Sequence, residues 1–316
     1  MTAPNGQVKG STVASDRPIT PYTVSRSVIL RSLLLAAALA LFGAPVAEAD
    51  SSTSTNWSGY VAHGGGVDFR YVAAQWTQPV ANCTIDPTTY SAVWVGLGGY
   101  NLNSQALEQI GTEADCNANG QEVSSVWYEL VPAPSTGVRM TVHPGDLMTA
   151  RVSVVRHRVT LAVTDRTRRK SFVKTVVDSP LDLTSADWIV EAPSECNGNG
   201  TDCQALPLAD FGAETFANAV ARTTRGQRGS ISSSHWGANA ITLVPGGGGP
   251  QYTGYDTTTQ GESSPSVLDG SGSSFTLTYA PQTITPPITP TSPTQAASRR
   301  ASSRAVARLQ PGGRRR

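Results

Sequence analysis

Apolar and polar residues alternate along much of the middle of this chain. Between residues 147 and 155, Val152 and Val154 fall on one side and Arg151 and Ser153 fall on the other. A period of two is typical of a strand with one buried face. The same alternation, interrupted by short turns, predicts further strands over residues 138–142, 159–164, 170–177 and 274–279.

Short strands joined by short turns favour antiparallel pairing, so the pattern predicts an all-β fold. The about 230 residues from 50 to 281 suit one β-sandwich of two antiparallel sheets. Helical periodicity is limited to a weak candidate over residues 214–221. The segment 245–272 is rich in Gly, Ser and Thr and is predicted to be a loop over a sheet face.

The first 49 residues have the pattern of a long n-region followed by a secretory signal peptide. Arg26 and Arg31 precede an apolar core that is too short to span a bilayer, and Ala47 and Ala49 form an Ala-x-Ala cleavage signature. We therefore expect a secreted, extracellular protein without a membrane anchor after cleavage.

Residues 282–316 form a Pro/Thr-rich and then Arg-rich tail without apolar periodicity, which predicts disorder. The body between the two ends is acidic. Residues 50–281 hold 13 Lys and Arg against 21 Asp and Glu, a net charge of −8 that the whole-chain value of +1 conceals. An acidic body argues against nucleic-acid binding.

Four cysteines fall in the part that we expect to be exported, which favours two disulfides in an oxidising compartment. Four cysteines permit three pairings. Cys196 and Cys203 bracket a short loop, so a local bridge between them is expected, which leaves Cys83 with Cys116. A zinc site would need CxxC-type spacing with His partners, which the sequence lacks, and no metal or other cofactor is expected.

Several hydrolase signatures are missing from the sequence. It contains no His-Glu-x-x-His, no Asp-Thr-Gly or Asp-Ser-Gly, and no Gly-x-Ser-x-Gly. These absences argue against zinc proteases of that type, pepsin-like aspartic proteases and enzymes with a nucleophile elbow.

A series of Trp-centred and acidic segments gives the sequence its most specific signal. In chain order they begin at Asn56, Gln75, Trp94, Glu108, Trp127, Asp187 and Leu206. Taken together, from about residue 54 to 280, they resemble the glutamic peptidases, the eqolisin family. The resemblance implies a concanavalin-like or jelly-roll-like sandwich that cleaves protein or peptide substrates, and we expect a monomer.

The resemblance also implies a catalytic pair, Gln109 and Glu191. Glu191 stands in an apolar run that Pro193 stops, and Gln109 precedes what we expect to be a turn at Gly111. In the mechanism that these residue types permit, an ionised Glu191 takes a proton from water, and the Gln109 amide stabilises the oxyanion and does not titrate.

By the same resemblance, a substrate cleft would be lined by Trp57, Trp94, Gly99, Trp127 and Glu129. The tryptophans could equally serve sheet packing. The chain departs from the family at Gly98, where members often carry Asp, and this departure bears on substrate preference.

Two alternatives remain open from the residues alone. Glu129 and Glu191 could be the two carboxylates of a secreted glycoside hydrolase. The chain could also be a carbohydrate-binding β-sandwich that turns nothing over. An acid-acting endopeptidase is the interpretation that the segments favour.

Overall fold

The structure is a computed structural model that describes residues 49–196, 203–244 and 261–281. These residues form strands, turns and irregular segments, as expected for an all-β chain. The strands are β1 (Asp50–Ser54), β2 (Trp57–His63), β3 (Phe69–Thr77), β4 (Ala92–Gly98), β5 (Leu107–Cys116), β6 (Glu122–Val131), β7 (Thr136–Gly137), β8 (Leu147–Val155), β9 (Arg158–Asp165), β10 (Lys170–Val177), β11 (Ser185–Glu191), β12 (Ser194–Cys196), β13 (Cys203–Ala205), β14 (Ala213–Thr223), β15 (Arg228–Gly229), β16 (Gly237–Leu243), β17 (Glu262–Pro265) and β18 (Phe275–Ala280).

Two antiparallel sheets share one strand. The first sheet runs β14-β18-β17-β16-β2-β11-β4-β5-β6-β7, and the second runs β10-β9-β8-β3-β14. The two sheets meet at β14, which pairs with β18 through residues 213–216 and with β3 through residues 217–223. The predicted β-sandwich of antiparallel sheets is confirmed.

The core lies between the middle strands of the two sheets, where β4, β5 and β11 pack against β3, β8 and β9. Two indole donors cross it. Trp188 Nε1 on β11 donates to Ala73 O at 3.0 Å, and Trp76 Nε1 on β3 donates to Thr112 Oγ1 on β5 at 3.1 Å. Trp188, Trp76 and Thr112 are fully or almost fully buried. These residues fix which face of β5 and β11 points inward.

Four of the five predicted strands are observed, as β8, β9, β10 and β18, and the strand predicted over residues 138–142 is wrong. Residues 138–142 form no strand, because Met140 N bonds back to Val138 O and the ladder on β6 ends after Val138. The weak helix over residues 214–221 is also wrong, since it lies inside β14. A bulge in β14, with Asn218 at φ 55°, breaks the strict alternation there and gives the sequence its helix-like spacing.

Two other expectations fall partly or wholly beyond the described residues. Of the predicted loop 245–272, residues 245–260 lie outside them, and Glu262–Pro265 is a strand rather than a loop. The predicted export segment, apart from Ala49, and the predicted tail also lie outside them.

Candidate active site

Gln109 and Glu191 lie on the same face of the first sheet. Gln109 is in the middle of β5 and pairs with Gly96 of β4, whereas Glu191 ends β11 and pairs with Ala92 of β4. Side chains alternate along a strand, and Thr112 and Trp188 point toward the second sheet. Gln109 and Glu191 therefore point away from it, onto the outer face of the first sheet.

Both carboxylate oxygens of Glu191 accept hydrogen bonds from neighbouring strands. Asn56 Nδ2 donates to Oε1 at 3.0 Å, and Trp94 Nε1 donates to Oε2 at 2.8 Å. The side chain of Trp57 is a further hydrogen-bond partner. Donors from two neighbouring segments thus fix the orientation of a partly exposed carboxyl group.

Burial and, to a smaller extent, the charge of Glu129 raise the pKa of Glu191 to about 8, against the lowering effect of the three donors. The carboxyl group of Glu191 is therefore neutral over the acidic range in the substrate-free site. Burial thus favours the neutral form of the Glu191 carboxyl group, whereas an ionised one was expected from the sequence.

Gln109 is tied to the third member of the site, Glu129 of β6. Gln109 is 4% exposed, and its Nε2 donates to Glu129 Oε2 at 2.6 Å across the β5–β6 pair. Its Oε1 has no hydrogen-bond partner within the described part of the chain. Burial raises the pKa of Glu129, and the bond from Gln109 opposes that shift.

Glu129 links the two residues of the expected pair. It is hydrogen-bonded to Gln109, and its charge acts on Glu191. Within residues 49–196, 203–244 and 261–281, no direct hydrogen bond joins Gln109 to Glu191. The set consists of one amide and two carboxyl groups, which are residue types that can hold a water molecule, move protons and donate to an oxyanion.

The turn predicted at Gly111 is wrong, because β5 continues from Leu107 to Cys116 without a break. A Cβ at Gly111 would overlap the Val93 carbonyl oxygen and the Trp94 side chain. The glycine therefore serves close packing across the sheet. It lets the Cα and Cβ atoms of Trp94 lie close to β5, and the indole N–H of Trp94 is directed at Glu191.

The three tryptophans expected in the cleft are mostly enclosed. Trp57 is 2% exposed, Trp94 0% and Trp127 6%, and they belong to one cluster on the site face with Val61, Ala92, Leu107, Ile189 and Ile241. Trp57 and Trp94 meet edge to face with ring centroids 5.0 Å apart. In this structure all three pack the site, and Trp94 and Trp57 also hydrogen-bond to Glu191. Contact with substrate stays a prediction for all three.

Gly98 and Gly99 show what replaces the aspartate that family members often carry. Gly98 has φ +83°, and a Cβ there would overlap the Asp182 carbonyl oxygen. The Asp182 carboxylate accepts hydrogen bonds from Gly99 N, at 3.1 Å, and from Ser104 Oγ. The Asp182 residue, in the segment before β11, thus occupies the space that a side chain at residue 98 would need. Its carboxylate accepts the hydrogen bond of the Gly99 N–H.

The sequence interpretation did not assign a role to Asn56 or to Asp182. Asn56 begins the first Trp-centred segment, so its place beside Trp57 was the available signal. Asp182 had none, because it approaches Gly98 from a distant part of the chain. The pKa of Glu108, whose carboxylate oxygens have no partner in the described residues, is raised to about 9 by burial, Asp178 and Asp182.

The Cys83–Cys116 disulfide is present as expected, and it joins the segment after β3 to the end of β5. Cys203 is also disulfide-bonded. Cys196 pairs with Cys203 in the β12–β13 hairpin, but the Cys196 side chain lies outside the described residues. The second bridge therefore stays a prediction.

The described residues contain no cluster of three or more His, Cys, Asp and Glu side chains placed to hold a metal ion. They also contain no helix of the length and hydropathy needed to cross a membrane.

Comparison with known proteins decides the family. The sequence model of the Peptidase A4 family matches residues 55–264, which is more than half of the chain and includes Gln109, Glu129 and Glu191. The chain belongs to the peptidase A4 family. These are the glutamic peptidases, so the family that the Trp-centred segments resemble is confirmed.

Individual relatives agree with the family match. Scytalidopepsin B of Scytalidium lignicola is 27% identical over 191 residues, which cover 58% of this chain and 70% of that protein. The crystal structure of scytalido-glutamic peptidase with a peptide-based transition-state analogue is 24% identical, has a TM-score of 0.56, and covers 72% of this chain and 99% of that one. The structure of SCP-B, an eqolisin in complex with the tripeptide Ala-Ile-His, is 22% identical with a TM-score of 0.53 over the same shares.

This A4 peptidase is therefore a glutamic endopeptidase with a β-sandwich fold. The family membership decides against a glycoside hydrolase and against a carbohydrate-binding domain without activity.

Proposed function

We propose that this A4 peptidase is a secreted endopeptidase that cleaves internal peptide bonds of protein substrates in acid, with Gln109 and Glu191 as its catalytic residues. One observation carries the proposal: Gln109 is hydrogen-bonded to Glu129, whose charge acts on Glu191, so an amide and two carboxyl groups form one network. Within the described residues, the groups hydrogen-bonded to Glu191 are the donors of Asn56, Trp57 and Trp94, which orient it.

The pKa values of the buried carboxyl groups support acid operation. Burial raises the pKa of Glu108 to about 9, and burial also raises those of Asp187 and Glu214 well above their ordinary values. A carboxyl group with a raised folded-state pKa stabilises the fold below its unfolded pKa, and that contribution is lost as pH rises through the folded value. Glu108, Asp187 and Glu214 therefore each contribute more to stability in acid than at neutral pH.

In the first step, Gln109 and Glu191 act together on water and the substrate carbonyl. The free Oε1 of Gln109 accepts a hydrogen bond from the water and aims its oxygen at the carbonyl carbon. As the carbon–oxygen bond forms, Glu191 gives its proton to the carbonyl oxygen and takes a proton from the water on its other oxygen. The second N–H of Gln109 donates to the same carbonyl oxygen.

In the second step, the tetrahedral intermediate loses the amine. The carbon–nitrogen bond breaks as Glu191 protonates the leaving nitrogen, and a hydroxyl proton of the intermediate returns to Glu191 as the new carboxylic acid forms. Glu191 ends the cycle neutral, as it began. Its raised pKa suits this role, because the group keeps a proton available throughout the acidic range.

Export is the remaining part of the proposal. Cleavage after Ala49 would release a protein that begins at Asp50, the first residue of β1. N-terminal sequencing of active protein from culture medium should give a start at or near Asp50. A start well beyond Asn56 would remove a donor to Glu191 and contradict the proposal.

Digestion of a denatured protein across a range of pH tests the activity, with peptide mapping of the products and a polysaccharide panel in parallel. We expect internal cleavage that is strongest in acid and no release of reducing sugar. Substrate incubated at the same pH without enzyme controls for acid hydrolysis. Trimming from chain ends only, or activity confined to alkaline pH, would contradict the proposal.

A further inference from the structure

The basic residues of the folded body are segregated onto the second sheet. Of the 13 Lys and Arg between residues 50 and 281, 12 lie on β3, β8, β9, β10, β14, β15 or their connecting turns, and Arg139 is the exception. Residues 147–177 alone hold eight of them against one Asp, a net +7. The rest of the body holds five basic residues against 20 acidic ones, a net −15.

The outer face of the second sheet carries arginines and no carboxylate. The strand registers place Arg151, Arg158 and Arg222 on this face, with Arg228 beside it on β15. Among the described residues, the only ion pairs are those of Asp146 with His143 and with Arg168. Arg151 and Arg228 therefore have no acidic partner there, although both are exposed.

A depression of about 280 Å³ lies at the centre of this face. The surface is recessed there because Ala73 on β3 and Ala162 on β9, which pair with Arg151 on either side, have small side chains. Arg151 and Arg228 line it, together with the side-chain amides and hydroxyls of Gln75, Thr149, Thr164 and Asn218. Guanidinium groups with amide and hydroxyl groups around a shallow floor suit an anionic sugar, since sulfate and phosphate esters accept several hydrogen bonds at once.

The aromatic residues of this sheet are not available to stack nucleic-acid bases. The Tyr71 ring is covered by the Arg222 guanidinium, 5.8 Å from its centroid, and Phe172 stacks on Tyr128 on the other side of β10. Single-stranded nucleic acid binds through such rings. The observations favour a glycan over a nucleic acid.

We propose that the depression lined by Arg151 and Arg228 on the outer face of the second sheet binds glycans that carry sulfate or phosphate esters. The site lies on the opposite side of the sandwich from Gln109 and Glu191, so a bound glycan leaves the catalytic face open. Sulfate and phosphate esters remain charged in acid, so attachment persists where the peptidase works. The peptidase would thereby be held on an anionic glycan surface.

Binding of the full-length chain to immobilised dextran sulfate and phosphomannan tests the site, with neutral dextran as the control. The two polymers separate sulfate from phosphate as the preferred ester. We expect salt-sensitive binding to at least one of them and a loss of at least tenfold in affinity in the Arg151→Gln/Arg228→Gln variant. The matched variant Lys170→Gln/Lys174→Gln removes two charges from the opposite face of β10 and should change affinity less than threefold.

The Arg-rich C-terminal tail is tested in the same assay by Arg315→Gln/Arg316→Gln, which should also have less than a threefold effect. Equal losses in all three pairs, or a larger loss from the tail pair, would overturn the proposal in favour of unspecific charge attraction. Absence of binding to both polymers would overturn it as well. Binding to a single-stranded oligonucleotide ten times tighter than to either glycan would overturn the proposal and identify nucleic acid as the ligand of this face.

Discussion

The indole N–H of Trp94 on β4 donates to Glu191 Oε2 on β11 at 2.8 Å. This contact explains two features of the sequence. Gly111 must lack a side chain because a Cβ there would overlap the Cα and Cβ atoms of Trp94, and Trp94 is enclosed because it positions a carboxyl group and packs against Trp57. The position of the Glu191 carboxyl group is therefore fixed by neighbouring residues of the same sheet.

Removing that donor should change the titration of Glu191 more than the fold. In Trp94→Phe, Glu191 loses a bond that favours its ionised form, so its pKa should rise further. If neutral Glu191 starts the reaction, the pH above which kcat/KM falls should be higher in this variant. Its kcat should be lower, because Glu191 is less well oriented. An unchanged profile would contradict the role of Trp94.

Trp188→Phe is the matched control for that variant. It removes an indole bond of similar length, 3.0 Å to Ala73 O, on the opposite face of the first sheet. Its thermal stability should fall, but the pH profile of the folded fraction should not move. The pH profile of the wild type is informative by itself. With an ionised Glu191 as the base, kcat/KM would rise with pH, whereas with a neutral Glu191 it would fall.

Gln109→Ala should lower kcat by a factor of about 10² to 10³, the usual effect of losing an oxyanion donor. Single-turnover hydrolysis of a synthetic peptide measures it. Gln204→Ala, an exposed amide on β13, serves as the control and should retain the wild-type rate. A loss of less than about threefold in Gln109→Ala would show that the amide does not contact the reacting group.

Thermal stability should fall as pH rises from about 5 to 9, because Glu108 has a pKa of about 9 in the fold and an ordinary value of 4.5. Glu108→Gln keeps the shape without the titration, so its Tm should fall less steeply over the same range. Calorimetry at several pH values measures the slopes. Asp68→Asn, at an exposed carboxylate, should keep the wild-type slope.

Gly98→Asp restores the residue type that family members often carry and should destabilise this chain. A side chain at φ +83° is strained by about 1–3 kcal/mol, and its Cβ would overlap the Asp182 carbonyl oxygen. We expect Tm to fall by at least about 2–4 °C. Gly65→Asp, where the space around the Cβ is open, should leave Tm nearly unchanged. Equal effects of the two substitutions would contradict this account.

The sequence predicted the parts of the fold where alternation is regular. β8, β9 and β10 are visible in it because each alternates against a buried core. β14 was not predicted, because a bulge at Asn218 disturbs its alternation and because it pairs with strands of both sheets. The resemblance offered Gln109 and Glu191 as the catalytic pair, which stays a proposal. Asn56 and Asp182 act through contacts between distant segments, which no local pattern records.

Acid proteolysis by Glu191→Gln and Glu129→Gln, compared side by side, tests the central claim most directly. Both variants keep the side-chain shape and remove one carboxyl group of the same network. Glu191→Gln should fall to background while remaining folded, because an amide cannot exchange protons with water and substrate. Glu129→Gln should retain measurable hydrolysis, since its Oε1 can still accept the bond from Gln109. Full activity in Glu191→Gln with none in Glu129→Gln would assign the proton transfer to β6 and contradict the account.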